Sequence, residues 1–481
     1  MKNKIVLISS LSFLLSSCDK FLDINENEND VTKETVTLQL LLPSAEAAIA
    51  NVVGNNFQVF GGIYSQHWTQ NNASSQYKTI EQYSPDATNF DTPWRILYAD
   101  ALKDLKIIEE KSVGNDAYLG ISKILQAYTY QLLTDNFGDI PFKEALDATN
   151  VNPKYSTQEE VYDGIFGLIE EGKALLYNYS GTSGPTTDDI IFGGDLFLWL
   201  EFANTLQLKA ALRLSGVNST KAQQQITLSN ALFESDGIGY LNQGESAVVL
   251  YSGAGGNSHP LNAEIIGLGN TENLRASKTT FNYFLSVGDE PSARRGALYE
   301  GEYALRQGDY GILVDTIYAV PSDYTGGNNN TDAGKASVRL MTDYESAFLQ
   351  AEAIARGWLT GDDADLYLQG ILLNYAAIGI DEADAVAYTE LPAIAYPAGL
   401  DAKIERIITE KWAAMCGTQG IESWTEWRRT GYPSFFVVSA NSLLGGSLLP
   451  NRLLYPSSEV TRNLNFPGQP LITEKLWWDV N

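Results

Sequence analysis

The chain has 481 residues, 44% of them hydrophobic, and a formal net charge of −27 from 59 acidic and 32 basic side chains. That length and apolar fraction suffice to bury a sizeable core. The charge argues strongly against a nucleic-acid binder, which needs clustered Lys and Arg for phosphate, and against a protein that lies flat on an anionic bilayer.

Lys2 and Lys4 precede an apolar run over residues 5–15, broken only by serines. The run is about half the length needed to span a bilayer, so it reads as an export signal over residues 1–17. It ends Leu15-Ser16-Ser17-Cys18, which resembles a bacterial lipobox. Cleavage there leaves Cys18 at the new N-terminus with its thiol free to carry a diacylglycerol. Several acyl chains on one residue anchor stably, where one is marginal. If Cys18 is lipidated, Cys416 is the only other cysteine and no internal disulfide forms. Residues 18–32, with Asp19, Asp23, Glu26, Glu28 and Asp30, read as an acidic tether. Residues 33–481 read as a single body, and no later stretch is apolar enough to span a membrane.

That body reads as mainly α. Over residues 94–110, Leu97, Ala101, Leu105 and Ile108 share one helical face. A second helix covers 118–134 and ends at Asn136-Phe137-Gly138. Ser156-Thr157-Gln158-Glu159 reads as a capping box opening a helix to Leu176. Next, Trp199, Phe202, Ala203, Leu206 and Ala210 fall on one stripe; Trp94 and Trp199 belong in the core. Residues 343–378 read as a helical hairpin of tetratricopeptide type. Phe348, Ala351, Ala355 and Trp358 line one arm and Ala364, Leu368, Ile371, Leu372 and Tyr375 the other, with a turn at Gly361-Asp362-Asp363. A last long helix covers 401–415. Between the helices, residues 54–93, 241–280 and 310–338 are long, polar and Gly- or Asn-rich. The second holds a short strand-like run at 247–251, and the third a flexible tip at 326–330. Loops of this length are expected to form one functional face on the scaffold.

No catalytic motif stands out. Two histidines, His67 and His259, leave little for metal sites or triads, and there is no His-Glu-x-x-His or Gly-x-Ser-x-Gly. Asp362, Asp363 and Asp365 fit an acidic helix start better than a calcium loop. Any two of the many carboxylates would serve a glycoside hydrolase, but nothing singles out a pair.

Several segments in order resemble the SusD/RagB family of outer-membrane lipoproteins. They are Cys18-Asp19-Lys20-Phe21-Leu22-Asp23, then Asp135-Asn136-Phe137-Gly138-Asp139-Ile140-Pro141, then Trp199 to Lys209. Glu410-Lys411-Trp412, Trp427-Arg428-Arg429-Thr430-Gly431 and Arg452-Leu453-Leu454-Tyr455-Pro456-Ser457-Ser458-Glu459 follow. The resemblance implies a tetratricopeptide-like helical scaffold with a loop-built ligand face, and no enzymatic activity or cofactor. It also implies a SusC-like TonB-dependent outer-membrane transporter as partner, a glycan or peptide as ligand, and a lipid anchor facing the cell exterior. Residue-level ligand positions do not carry over, because the binding loops match least. For Trp427, Arg428 and Arg429 the structural expectation is guanidinium stacked on indole and paired with Glu422 or Glu426.

For ligand contacts, aromatic faces flanked by amides and carboxylates suit sugars. His67, Trp68, Gln70 and Asn71, with Tyr77 nearby, supply that mixture in one polar loop, and Tyr251, His259 and Asn262 in another. An indole in so polar a segment favours exposure of Trp68; the alternative is that it tucks back and pins the loop.

Overall fold

The computed structural model describes residues 35–147, 149–288, 294–311 and 316–481. The signal, Cys18 and the tether at 18–32 lie outside the described residues.

Helices dominate, and their sequence signals account for them. Gln158–Tyr177 is opened by a capping box, but one residue later than the spacing predicts. Thr157 is the cap, and Glu160 completes the box. Asp195 caps Leu196–Arg213 by accepting from Phe197 N and Leu198 N. Trp199, Phe202, Ala203, Leu206 and Ala210 on that helix are all fully buried. The expected helix over 94–110 is continuous but mixed: Asp91–Arg95 is α, Ile96–Leu102 is π, and Lys103–Lys111 returns to α. The helix expected at 118–134 extends over Asp116–Phe137.

The helical hairpin stands where the periodicity places it, as Asp343–Ala355 and Asp363–Ala377. Its second arm starts because Asp362 accepts from Ala364 N and Asp365 N, and Asp363 pairs with Lys403 at 2.6 Å. The acidic run is therefore a helix cap. Leu400–Ala414 packs against both arms. Among the described residues, no helix is long and apolar enough to cross a membrane. Strands are short and come in antiparallel pairs, the longest-range being Trp68–Gln70 on Leu274–Ala276.

One contiguous set of buried side chains runs from Leu41 to Trp478. Its two ends meet at a glycine crossing. A Cβ on Gly61 would lie 2.0 Å from Ile421 N, and one on Gly420 would lie 2.4 Å from Gly62 N. Only glycine allows the Asn56–Tyr64 and Gly420–Thr430 helices to approach so closely.

Beside that crossing lies a buried ionic network. Arg213 reaches Asp135 at 3.3 Å, Glu422 at 2.7 Å and Glu426. Arg429 takes both oxygens of Glu352, at 2.7 and 2.6 Å, and also Glu426. Burial raises the Glu426 carboxyl, but Arg429, Lys411 and Arg213 outweigh it and hold it well below its usual range. The stacking expected here exists with different rings. The Arg428 guanidinium lies 3.7 Å from the Trp424 ring centroid and 5.1 Å from that of Trp478, whereas Trp427 stacks on Phe436. These charges are structural: Arg213 and Arg429 are ion-paired, Arg428 donates to Asp135 O, Asn451 O and Thr425, and all three are withdrawn from solvent.

Candidate binding site

The three polar segments are far more ordered and buried than their composition suggests. Residues 54–93 contain the Asn56–Tyr64 helix, and residues 241–280 contain a helix at Pro260–Gly267. Gln66 adopts a left-handed φ of 59° and turns the chain into strand Trp68–Gln70. That strand pairs antiparallel with Leu274–Ala276, Trp68 opposite Ala276 and Gln70 opposite Leu274.

This folding takes most of the expected ligand contacts out of solvent. Trp68 is 0% exposed, its ring packed over Gly62. His67 is buried, with its Nε2 3.0 Å from Trp412 O, and desolvation lowers its pKa to about 3. Gln70 donates to Ser74 Oγ at 2.6 Å and accepts from Tyr77 N at 2.7 Å. Asn71 donates to Glu272 O at 2.6 Å, and Tyr77 OH to Glu264 at 3.0 Å. In the second loop His259 is buried and its pKa is likewise lowered to about 3 by burial. Asn262 donates to Asn328 O and Asn330 O. Tyr251 alone of the eight stays half-buried, its ring 6.1 Å from that of His259.

The expectation of an exposed Trp68 platform is therefore corrected. The reason is that each polar neighbour finds a partner inside, so polarity did not require solvent. The expected flexible tip is corrected too. Gly326, Gly327 and Asn328 are buried, and a Cβ on Gly326, at φ 70°, would lie 2.2 Å from His259 Nδ1.

Sequence reasoning missed the hub of this assembly, Glu81. It accepts from Thr69 Oγ1, from Gln70 N at 2.8 Å and from Tyr310 OH at 3.3 Å. Burial pushes its pKa up to about 7 against these hydrogen bonds. Nothing in its local sequence marks it, because its partners, Thr69 and Gln70 on the strand and Tyr310 from another segment, meet it only in the folded chain. The segments do form one joined body, as expected, but the surface left to solvent there is mostly polar: Asn72, Gln76, and Lys78 over the Tyr310 ring at 4.7 Å.

A large concavity lies elsewhere, on the helical side. An open cleft of about 870 Å³ is bounded by the π segment and the Lys103–Lys111 helix on one wall, and by residues 141–153 and Glu459 on the other. Its volume is in the range of small-ligand sites. Tyr98, Ile107, Pro141 and Leu146 form its floor, with Trp94 behind Tyr98 at 4.8 Å between ring centroids. The Tyr98 OH donates to Pro141 O at 2.7 Å, which fixes the ring. Leu146 is held at φ 64°, a costly conformation for a branched side chain, and such strain concentrates at ligand clamps. The rim carries Lys103, Lys106, Glu110, Asp147 and Glu459. Lys103 makes no hydrogen bond or ion pair to a described residue, whereas Glu459 already accepts from Tyr155 OH at 2.7 Å. A half-exposed aromatic floor beneath donors and acceptors of both signs can stack a pyranose ring and bind its hydroxyls.

Among the described residues, no group of three or more His, Cys, Asp or Glu side chains is placed to hold a metal. Cys416 is buried beside Tyr299 OH at 3.0 Å, and desolvation pushes its thiol up to about 12, so it is not poised as a nucleophile.

A family model for SusD-like proteins, described as starch-binding and associating with the outer membrane, matches residues 28–456. No curated protein sequence matches significantly. Among solved structures, a chitin-binding protein aligns with a TM-score of 0.77 and 23% identity, covering 92% of this chain and 100% of its own. A SusD homologue from Bacteroides uniformis gives 0.77 and 24%, over 92% and 99%. A chitin-binding SusD homologue from Flavobacterium johnsoniae gives 0.75 and 22%, also over 92% and 99%. At these identities the likeness establishes the fold.

Proposed function

The chain belongs to the SusD-like family, and we propose on that premise that it is a surface lipoprotein which binds an oligosaccharide and passes it to a TonB-dependent, SusC-like transporter in the outer membrane. The observation that carries the binding part is the cleft over Tyr98. It is large, open, aromatic-floored and rimmed by charged groups, one of which, Lys103, makes no ion pair with a described residue. Anchoring rests on Cys18, since no described helix offers a second way into the bilayer. The protein acts as a binder: Glu352, Glu410, Glu422 and Glu426 are committed to buried ion pairs, and Glu81 to hydrogen bonds from Thr69, Gln70 and Tyr310.

Titration calorimetry of the mature protein against neutral and charged oligosaccharides tests this. Tyr98→Ala should weaken binding by at least about tenfold, equivalent to ~1.4 kcal/mol, while the fold persists. Unchanged affinity would remove the cleft from the site. Oligopeptides belong in the same panel, because the aliphatic Ile107 and Leu146 floor between oppositely charged rims also suits a peptide. New reducing ends or cleaved peptides would instead indicate a hydrolase. For the anchor, Cys18→Ala should leave the membrane fraction when the partner barrel is absent. Retention after carbonate washing would refute the lipid attachment.

A further inference from the structure

Residues 430–451 contain no charged side chain, in a protein where 19% of residues are charged. The segment is not buried. Phe435, Val437, Leu443 and Leu448 are 38, 41, 66 and 52% exposed. It is also fixed in place. Ser439 N donates to Tyr83 OH at 3.1 Å, Ala440 N to Gln307 O at 2.9 Å, and Leu443 N to Gln82 O at 2.9 Å.

Its first part has the features of a strand without a sheet. From 435 to 438 the side chains alternate between exposed and half-buried, and no helix or turn is present at 436–439. One edge is already occupied by a side chain acting as a strand. Val437 N donates to Gln66 Oε1 at 3.1 Å, and Gln66 Nε2 donates back to Val437 O at 2.6 Å. In an extended chain, successive residues direct their main-chain groups to opposite edges. The opposite edge belongs to Phe436 and Val438. Their N–H and C=O groups make no hydrogen bond to any described residue. An open edge of this kind is a template for another extended chain.

We propose that this edge is a docking site for an extended, uncharged segment of the outer-membrane partner, which pairs with Phe436 and Val438 and covers Val437. The inference rests on the reading above that such a partner exists. Two features on the molecule select this occupant. Donors and acceptors repeating along an extended edge match those of a second extended main chain, and a charge-free apolar lining is the composition of an interface centre. The chain carries a net charge of −27, none of it on this strap.

The test uses the full-length, lipidated, tagged protein extracted from outer membranes in mild detergent, with co-purified barrel measured by quantitative mass spectrometry. Val438→Pro removes one free N–H without touching an internal hydrogen bond. Val437→Asp places a charge on the covered face. Val113→Asp, at a site 92% exposed and far along the chain, serves as control. Wild type and the control should recover the barrel, and the two strap variants at least about tenfold less, with melting temperatures close to wild type. Wild-type recovery by both strap variants would overturn the docking site alone. Loss in Val437→Asp but not in Val438→Pro would overturn the strand pairing. If Val438→Pro melts early, Val437→Asp decides. No barrel with wild type would overturn both this inference and the transporter reading.

Discussion

The helical hairpin at 343–377 and the polar segment at 66–81 are buried to a similar depth by opposite means. In the hairpin, Phe348, Ala351, Ile371 and Tyr375 fill the interior with apolar surface. In the polar segment the interior is Gln66, His67, Thr69, Gln70 and Glu81, held by hydrogen bonds within the segment and to other segments. Apolar burial announces itself by a periodicity of 3.6, whereas polar burial has no period, because its partners stand at irregular separations in sequence. A glutamine-rich stretch is therefore compatible with either a wet loop or a dry one.

The largest effects test whether the dry polar segment is as tightly packed as the helical core. Trp199→Ala and Trp68→Ala should each cost roughly 3–5 kcal/mol in denaturant unfolding. A cost under about 1 kcal/mol for Trp68 would mean that its segment is only loosely closed.

The two buried histidines add a pH signature. An unfolded histidine titrates near 6.5, whereas His259 is lowered to about 3 by burial. The unfolded state therefore binds the extra proton first. Native stability is complete above about pH 6.5 and is lost as pH falls toward 3, by roughly 1.4 kcal/mol per unit. Subtracting the profile of His259→Gln isolates this contribution. A difference that stays flat between about pH 6.5 and 4.5 would show that the ring is solvated.

Gly326→Ala should cost about 1–3 kcal/mol, from its left-handed backbone and the clash with His259. Thermal melts would show it, and a neutral result would restore the flexible tip. The smallest effect is expected at a helix start. Asp362→Ala should lose about 1 kcal/mol by removing the cap on Ala364 and Asp365, a loss confined to the hairpin and visible by hydrogen exchange there.

Much of the scaffold was legible in the residues. The stripes at 199–210 and 343–378 and the turn at 361–363 place helices where the structure has them. The capping box was off by one residue because Thr157 and Ser156 are chemically equivalent caps, and tertiary packing chose between them. The candidate site was less legible. Trp68 and its neighbours promised a sugar platform by composition, yet their polar groups point inward. The Tyr98 cleft was invisible, because Tyr98 lies on a helix whose stripe assigns it no role. Its exposure depends on a π segment and on a left-handed Leu146 that local patterns do not reveal.

The glycine crossing between the Asn56–Tyr64 and Gly420–Thr430 helices bears on how the molecule is made. A chain emerging from the ribosome makes the Asn56–Tyr64 helix early and that helix's partner late. Asp135 waits similarly, for Arg428 and for the indole of Trp478, 2.9 Å away in the final structure. Until the C-terminal tail arrives, the front of the protein lacks its closing surface, and Asp135, already paired with Arg213, lacks the Trp478 indole donor to its carboxylate and the Arg428 donor to its main-chain carbonyl. Long-range closure of this kind delays cooperative folding. On the proposed export as a linear chain, that delay keeps the polypeptide pliable until transit is over. The C-terminal stretch from Gly420 onward then works as the latch that ends the journey.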